Sequence, residues 1–286
     1  MILVLVAFAA VIVAIWTASS GRYADVVKLA DKKSYPLRFM LPAGLYLLDL
    51  FKYGFNTGYD RKLIASITEL HGHKQAITLL RIHMGNKIAM MLLSLLFVLF
   101  IGTIAKPDVG YLVFAISLPV GIAVFTDRDL FEKVKKRRLA IQMNFPDFVN
   151  KLTLLINAGM TVSKAWERIA RDGGKNTPLY QELSIAVNAV RSGVPEHKAY
   201  EEFAKRCHVP VVTRFITVIL QNIRKGNSEL VPILRVYANE CWELRKNTAK
   251  RLGEEASTKM LLPITLMFVA ILLIVGMPAV LALRNI

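Results

Sequence analysis

The sequence predicts an all-α membrane protein, with about four transmembrane helices and a cytoplasmic bundle of six helices between the third and fourth spans. Three observations carry this expectation. The 286-residue chain is 54% apolar, above the roughly 45–50% usual in soluble proteins. Its apolar residues gather in uncharged runs of about the 20 residues that a bilayer span requires. Its charge is also sorted by side. If residues 21–87 and 127–259 face the cytoplasm, all of the 37 Lys and Arg except Lys106 and Arg284 lie inside, as the positive-inside rule demands. The formal charge of +16 is then mainly a topology signal. A nucleic-acid surface would interleave basic residues with aromatics or carry a recognition motif, and the chain has neither.

Residues 1–20 form the N-terminal anchor. Met1–Trp16 is apolar without a break, no Lys or Arg precedes it, and Arg22, Lys28, Lys32 and Lys33 follow. A cleaved signal peptide would have a positive n-region, so the segment reads as an uncleaved helix with its N-terminus outside. Residues 21–87 are a basic cytoplasmic segment. Within it, 39–55 is apolar but short and holds Pro42, Asp49 and Lys52. It is expected to lie on the membrane surface or to pack on neighbouring helices. His71, His73 and His83 lack a carboxylate or cysteine at ligand spacing and read as solvated or hydrogen-bonding side chains rather than a metal site. Residues 88–126 form a transmembrane hairpin, in which Ile88–Ala105 and Val109–Thr126 are uncharged and Lys106-Pro107-Asp108 is the outside turn.

Residues 127–259 are the predicted cytoplasmic bundle. The run Lys133, Lys135, Lys136, Arg137 and Arg138 directly follows the third span. It reads as an anchor at the inner lipid surface, with docking of an acidic partner as the sharper alternative. Next, Phe145, Phe148, Val149, Leu152, Leu155 and Ile156 recur at helical spacing. Asn144 is expected to cap that helix, with Pro146 and Asp147 in its first turn and Gly159 ending it. Thr161 caps a second helix bearing Val162, Ala165, Trp166 and Ile169. Gly174-Lys175-Asn176 is not a phosphate loop, because Ile169 stands where its first glycine belongs and Asn176 where Ser or Thr belongs.

A third helix covers Leu179–Arg191 and stops at Gly193. A fourth opens at Pro195 and runs through Arg206, and a fifth begins at Val209-Pro210 and ends near Gly226. Asn227 or Ser228 caps the sixth, whose Leu230, Leu234, Tyr237, Cys241, Leu244 and Thr248 repeat like heptad positions. The sixth helix meets no breaker except Gly253 before the last span, 260–283, which contains Pro263, Gly276 and Pro278.

No catalytic, cofactor or metal residues are expected. The spans carry no charged residue, and the pairs Glu201-Glu202 and Glu254-Glu255 point to different helix faces. Cys207 and Cys241 form no CxxC pair and read as small buried hydrophobes.

Three stretches resemble the type II secretion system F-protein domain: PDFVNKLTLLINAGMTVSKAWERIA, LSIAVNAVRSGVPEHKAYEEFA, and the segment from Ile223 to Leu281 that includes most of the last span. The chain is most similar to the smaller Tad-type (tight-adherence pilus) members, where Lys259, Pro263, Gly276, Pro278 and Ala279 match recurrent positions. It departs at Arg224-Lys225-Gly226-Asn227, where many members have an acidic residue before the glycine. It also holds one copy of the domain, so no family metal site between copies carries over. The resemblance implies a non-enzymatic platform of the bacterial cytoplasmic membrane, multi-pass, with both termini outside. It further implies a hexameric secretion ATPase, pilin subunits, and a paralogous platform protein or a second copy as partners, with membrane lipid around the spans and no nucleic acid. A scaffold or signalling module of an unrelated family is the alternative. A small transporter using Pro119, Pro263 and Pro278 as helix breaks is the weaker one.

Overall fold

The computed structural model describes residues 2–29, 35, 37–55, 57–72, 75–104, 108–173, 177–225 and 230–284. Eleven helices and no strand occur among the described residues: α1 (Ile2–Ser20), α2 (Ala24–Leu29), α3 (Leu41–Leu50), α4 (Gly58–His71), α5 (Ala76–Ile104), α6 (Val109–Asn157), α7 (Val162–Asp172), α8 (Pro178–Arg191), α9 (Glu196–Cys207), α10 (Pro210–Lys225) and α11 (Leu230–Arg284). Four of them, α1, α5, α6 and α11, are long and apolar enough to cross a membrane. The chain forms two compact units, Met1–Arg137 and Arg138–Ile286.

In the first unit, the apolar run 39–55 yields only the short helix α3, which packs along α5 and α1. Leu41, Ala43, Leu45 and Leu48 are buried there with Leu63, Ile67, Leu80 and Ile82. The run packs on neighbouring helices, one of the two arrangements expected for it. The approach is close because glycine faces glycine. A Cβ on Gly44 would lie 2.0 Å from the Gly85 carbonyl oxygen, and one on Gly85 would meet the Leu45 side chain at 3.0 Å. Asp49, the charge that made this run a poor span, is tied down at the end of α3. It accepts hydrogen bonds from Tyr23 Oη at 2.6 Å and Arg81 Nη2 at 2.7 Å. At the start of α4 the Thr57 backbone N–H donates to the fully buried Asp60 carboxylate at 3.0 Å, which serves one of the orphan donors of a helix N-terminus.

The second unit is built on an aromatic core. Trp166 stacks on Tyr200 with ring centroids 4.1 Å apart, and Phe148 meets Trp166 edge-on at 5.3 Å. Phe215 meets Phe145 at 5.2 Å and Tyr237 at 5.7 Å, both edge-on. Such geometries match the ring quadrupole as well as burying area. Segments of α6, α7, α8, α9, α10 and α11 supply this core.

The first segment, however, is not a separate helix. Asn144 does not cap anything: it lies inside α6, and its side-chain amide donates to the Ala140 carbonyl at 2.7 Å. Pro146 and Asp147 are therefore mid-helix rather than in a first turn. A proline removes one ladder hydrogen bond, yet Ile141, Phe145, Phe148 and Val149 around it are completely buried. Their packing holds the helix through the lost bond. The sixth predicted helix and the last span are likewise one element, α11, 55 residues long and continuous through Gly253 and Pro263.

Two of the predicted stops, Gly159 and Gly193, are left-handed turns. At Gly159 (φ 87°) the Met160 N–H donates to Leu155 O at 3.1 Å and the Gly159 N–H to Ile156 O at 2.9 Å, which together make a Schellman cap. Gly193 (φ 91°) repeats it, with Val194 N–H to Ala189 O and Gly193 N–H to Val190 O, both at 3.0 Å. Thr161 Oγ1 accepts from the Lys164 N–H as the α7 cap. The heptad-like seam is buried at Leu230, Leu234, Cys241 and Thr248, with Tyr237 and Leu244 half-buried beside it. Gly226 and Asn227, and the Lys106-Pro107 part of the hairpin turn, lie outside the described residues.

Three glycines can be told apart by thermal unfolding of the purified full chain. Gly159→Ala should destabilise by about 1–2 kcal/mol, the cost of a left-handed non-glycine residue. Gly253→Ala, in an exposed helix interior with nothing within 4 Å, should instead stabilise by up to about 1 kcal/mol. Gly44→Ala should cost about 1–3 kcal/mol or more through overpacking, because the atom it strikes is backbone.

Candidate functional site

The described residues offer structural ties and surfaces rather than a catalytic constellation. No group of three His, Cys, Asp or Glu side chains stands at metal-binding distance among them. Cys207 and Cys241 are buried and are not disulfide-bonded. Burial pushes the Cys241 thiol up to about 11, away from the thiolate form that nucleophilic chemistry needs.

The most connected polar group in the first unit is centred on Asp127, the first carboxylate after the hairpin's second apolar run. Lys87 Nζ donates to its Oδ2 at 2.7 Å, His83 Nε2 lies 3.2 Å from its Oδ1, and Tyr59 Oη donates to the same carboxylate. Lys87 also donates to Tyr59 Oη at 2.8 Å and sits 5.0 Å from the centre of that ring. Helices α4, α5 and α6 are thereby joined at one carboxylate, and with three donors around it Asp127 is a clamp rather than a base. His83 is thus hydrogen-bonding, as one of the expected readings held, but buried rather than solvated. The clamp itself was missed in the sequence. The signal available was His83 and Lys87 four residues apart on one helix face, with Asp127 bounding the next span.

A second tie organises the other unit. Asp147 accepts from Tyr180 Oη at 2.7 Å and pairs with Lys151 Nζ at 2.8 Å, linking α6 to α8. Burial works to raise the Asp147 carboxyl, but the Lys151 and Tyr180 hydrogen bonds and the Lys151 charge outweigh it, and the group sits below its ordinary value. Burial, followed by the Asp147 hydrogen bond, holds the Tyr180 hydroxyl above its own. The Tyr180 ring lies where a Cβ on Gly173 would be, 2.1 Å away, so the glycine after α7 admits it.

The remaining predicted residues do not converge on one place. Gly159 and Gly193 make turns, while Pro263, Gly276 and Pro278 are interior to α11. On α6, Lys135, Lys136 and Arg138 are exposed, whereas Lys133 and Arg137 are half-buried; Lys133 pairs with Asp129 at 2.8 Å. In the second unit, α9 and α10 form a groove of about 460 Å³ with Ala204, Ile216 and Leu220 in it and Glu201, Lys205 and Gln221 around it.

A double-mutant cycle on Lys87→Met and Asp127→Asn, read by thermal unfolding, should give a coupling of about 1–3 kcal/mol. Each single change should be more costly than an exposed pair's ~0–1 kcal/mol.

With this geometry established, comparison with known families is specific to the second unit. Residues 148–278 match the model of the family described as Type II secretion system (T2SS), protein F. No curated protein and no solved structure matches the chain. The stretch that contains α7 to α10, most of the aromatic core and most of α11 is therefore similar to T2SS protein F, which supports the T2SS F superfamily.

Proposed function

We propose that this protein is a non-enzymatic inner-membrane platform of a pilus or type II-like secretion machine, of the Tad type, which couples a cytoplasmic hexameric ATPase to the extraction and assembly of pilin subunits. The observation that carries this reading is the match of residues 148–278 to T2SS protein F, a stretch lying within one compact unit. The four apolar helices and the distribution of Lys and Arg support a multi-pass protein with the bundle in the cytoplasm and both termini outside.

The mechanical reading follows from α11. Its first turns are locked into the bundle by Leu230, Leu234, Cys241 and Thr248, and Gln142 donates to Thr248 at 3.3 Å. The same helix continues without interruption through the apolar run that begins at Met260. At 1.5 Å per residue this is a rod of about 80 Å, and packed helices move as rigid elements. A torque or push on the bundle is thereby delivered to the span, beside which pilin subunits leave the bilayer. Lys135, Lys136 and Arg138 are the cations exposed for an acidic ATPase surface or for anionic lipid. The partners are thus the ATPase, pilin subunits, and a paralogous platform protein or a second copy of the chain.

The test is co-purification of the full chain in detergent with the hexameric secretion ATPase of the same organism. Co-elution is expected, weakened at least several-fold by combined Lys135→Glu and Lys136→Glu. An ATPase that hydrolyses ATP normally but does not bind would replace this reading with a membrane scaffold of an unrelated family.

A further inference from the structure

In the first unit, α5 and α6 border a cleft of about 1040 Å³ whose lining changes character along its length. One end carries His83, Asn86, Asp129 and Lys133, and the remainder is lined by side chains such as Met90, Phe97, Leu118 and Phe125. Ser94 and Ser117 also line it, but their hydroxyls donate to the carbonyls of Met91 and Phe114 in their own helices, at 2.8 and 3.2 Å. The trough is therefore apolar in effect.

Two features identify what it accommodates. The first is length. The lining runs from His83 to Phe97 on α5 and from Lys133 to Ser117 on α6, about 21 and 24 Å of helix. That matches one leaflet of a bilayer that is about 40–45 Å thick with its headgroups. A membrane-crossing helix would require the full core of about 30 Å, and the cleft stops short of Ile104 and Val109 at the far helix ends. The second is polarity. Asn86 is only 3% exposed and its amide oxygen is buried without a hydrogen-bond partner, a costly state for an acceptor. Beside it the mouth offers one carboxylate and one ammonium, Asp129 and Lys133, paired at 2.8 Å and each about half exposed.

A headgroup that carries both a phosphate and a primary ammonium complements all three side chains. A trimethylated ammonium has no N–H to give Asn86, and a glycerol headgroup brings net negative charge to Asp129 without a compensating cation. We propose that this cleft binds one glycerophospholipid with an ethanolamine headgroup. Its phosphate sits at Lys133, its ammonium donates to Asp129 and to the Asn86 amide oxygen, and an acyl chain lies along the trough between Phe97 and Phe125. The proposal rests on the reading that α5 and α6 cross the bilayer, which membrane fractionation of the full chain tests separately.

The test is native mass spectrometry of the purified, delipidated full chain titrated with phosphatidylethanolamine, phosphatidylcholine or phosphatidylglycerol of identical acyl chains. Wild-type protein should bind the ethanolamine lipid about tenfold more tightly than the choline lipid, the scale of one well-made hydrogen bond to a charged donor. Asn86→Leu should reduce that ratio at least several-fold, leaving only the Asp129 contact to discriminate. Gly121→Trp, at a cleft position with nothing within 4 Å of its Cβ, should weaken binding of every lipid at least tenfold while the unfolding temperature is unchanged. Equal binding of the ethanolamine and choline lipids, a preference for phosphatidylglycerol, or a preference that Asn86→Leu leaves undiminished would overturn the proposal. So would a photo-crosslinker at Phe97 that captures a polypeptide in place of lipid. A chain that fails to fractionate with membranes would overturn the underlying reading, and the proposal with it.

Discussion

The second unit depends on one buried helix face. Ile141, Phe145, Phe148, Val149 and Leu152 of α6 are completely enclosed, and the rings of α7, α9 and α10 close over them. Truncating a buried aromatic costs about 3–5 kcal/mol, and several share contacts here, so losses would not simply add. This face also explains why Pro146 does not end the helix. One missing hydrogen bond is a smaller term than the packing that holds its neighbours. The same burial makes the two Schellman glycines necessary, because the chain must reverse within a residue or two to return α7 and α9 to the core.

Polar ties complement this packing in different ways. The Asp127 clamp is largely buried, so its groups must satisfy one another, and it joins three helices of the first unit where the apolar runs give way to charge. The Asp147–Lys151–Tyr180 tie is about half exposed and correspondingly weaker, setting the α6–α8 register more than the stability. The Gly44–Gly85 contact plays the matching steric role in the first unit by letting a short helix approach α5 at backbone distance.

These features suit the platform role proposed above. Several buried polar side chains, Asp127's partner His83 among them, tie helices together, and the large uninterrupted elements are α6 and α11, each of which carries a long apolar run and core-forming residues. The amphiphile-shaped cleft in the first unit adds a way for the bilayer's composition to bear on α6.

Much of this was legible in one dimension because it depends on local periodicity and chain chemistry. The spans follow from length and charge, the seam from Leu230 to Thr248 follows from heptad spacing, and the turns at Gly159 and Gly193 follow from the left-handed backbone that glycine alone adopts without strain. Tertiary structure decided what local signals leave ambiguous. Asn144 and Pro146 have the chemistry of a helix start, but a start is only needed where a helix would otherwise end, and the core packing of Phe145 and Phe148 keeps α6 continuous. The run 39–55 was too short to span and too apolar to stay in water, and only the facing Gly85 settled where it packs. The Asp127 clamp and the Asn86 cleft join residues some 40 positions apart, a juxtaposition no periodicity encodes because it exists only once the helices are side by side.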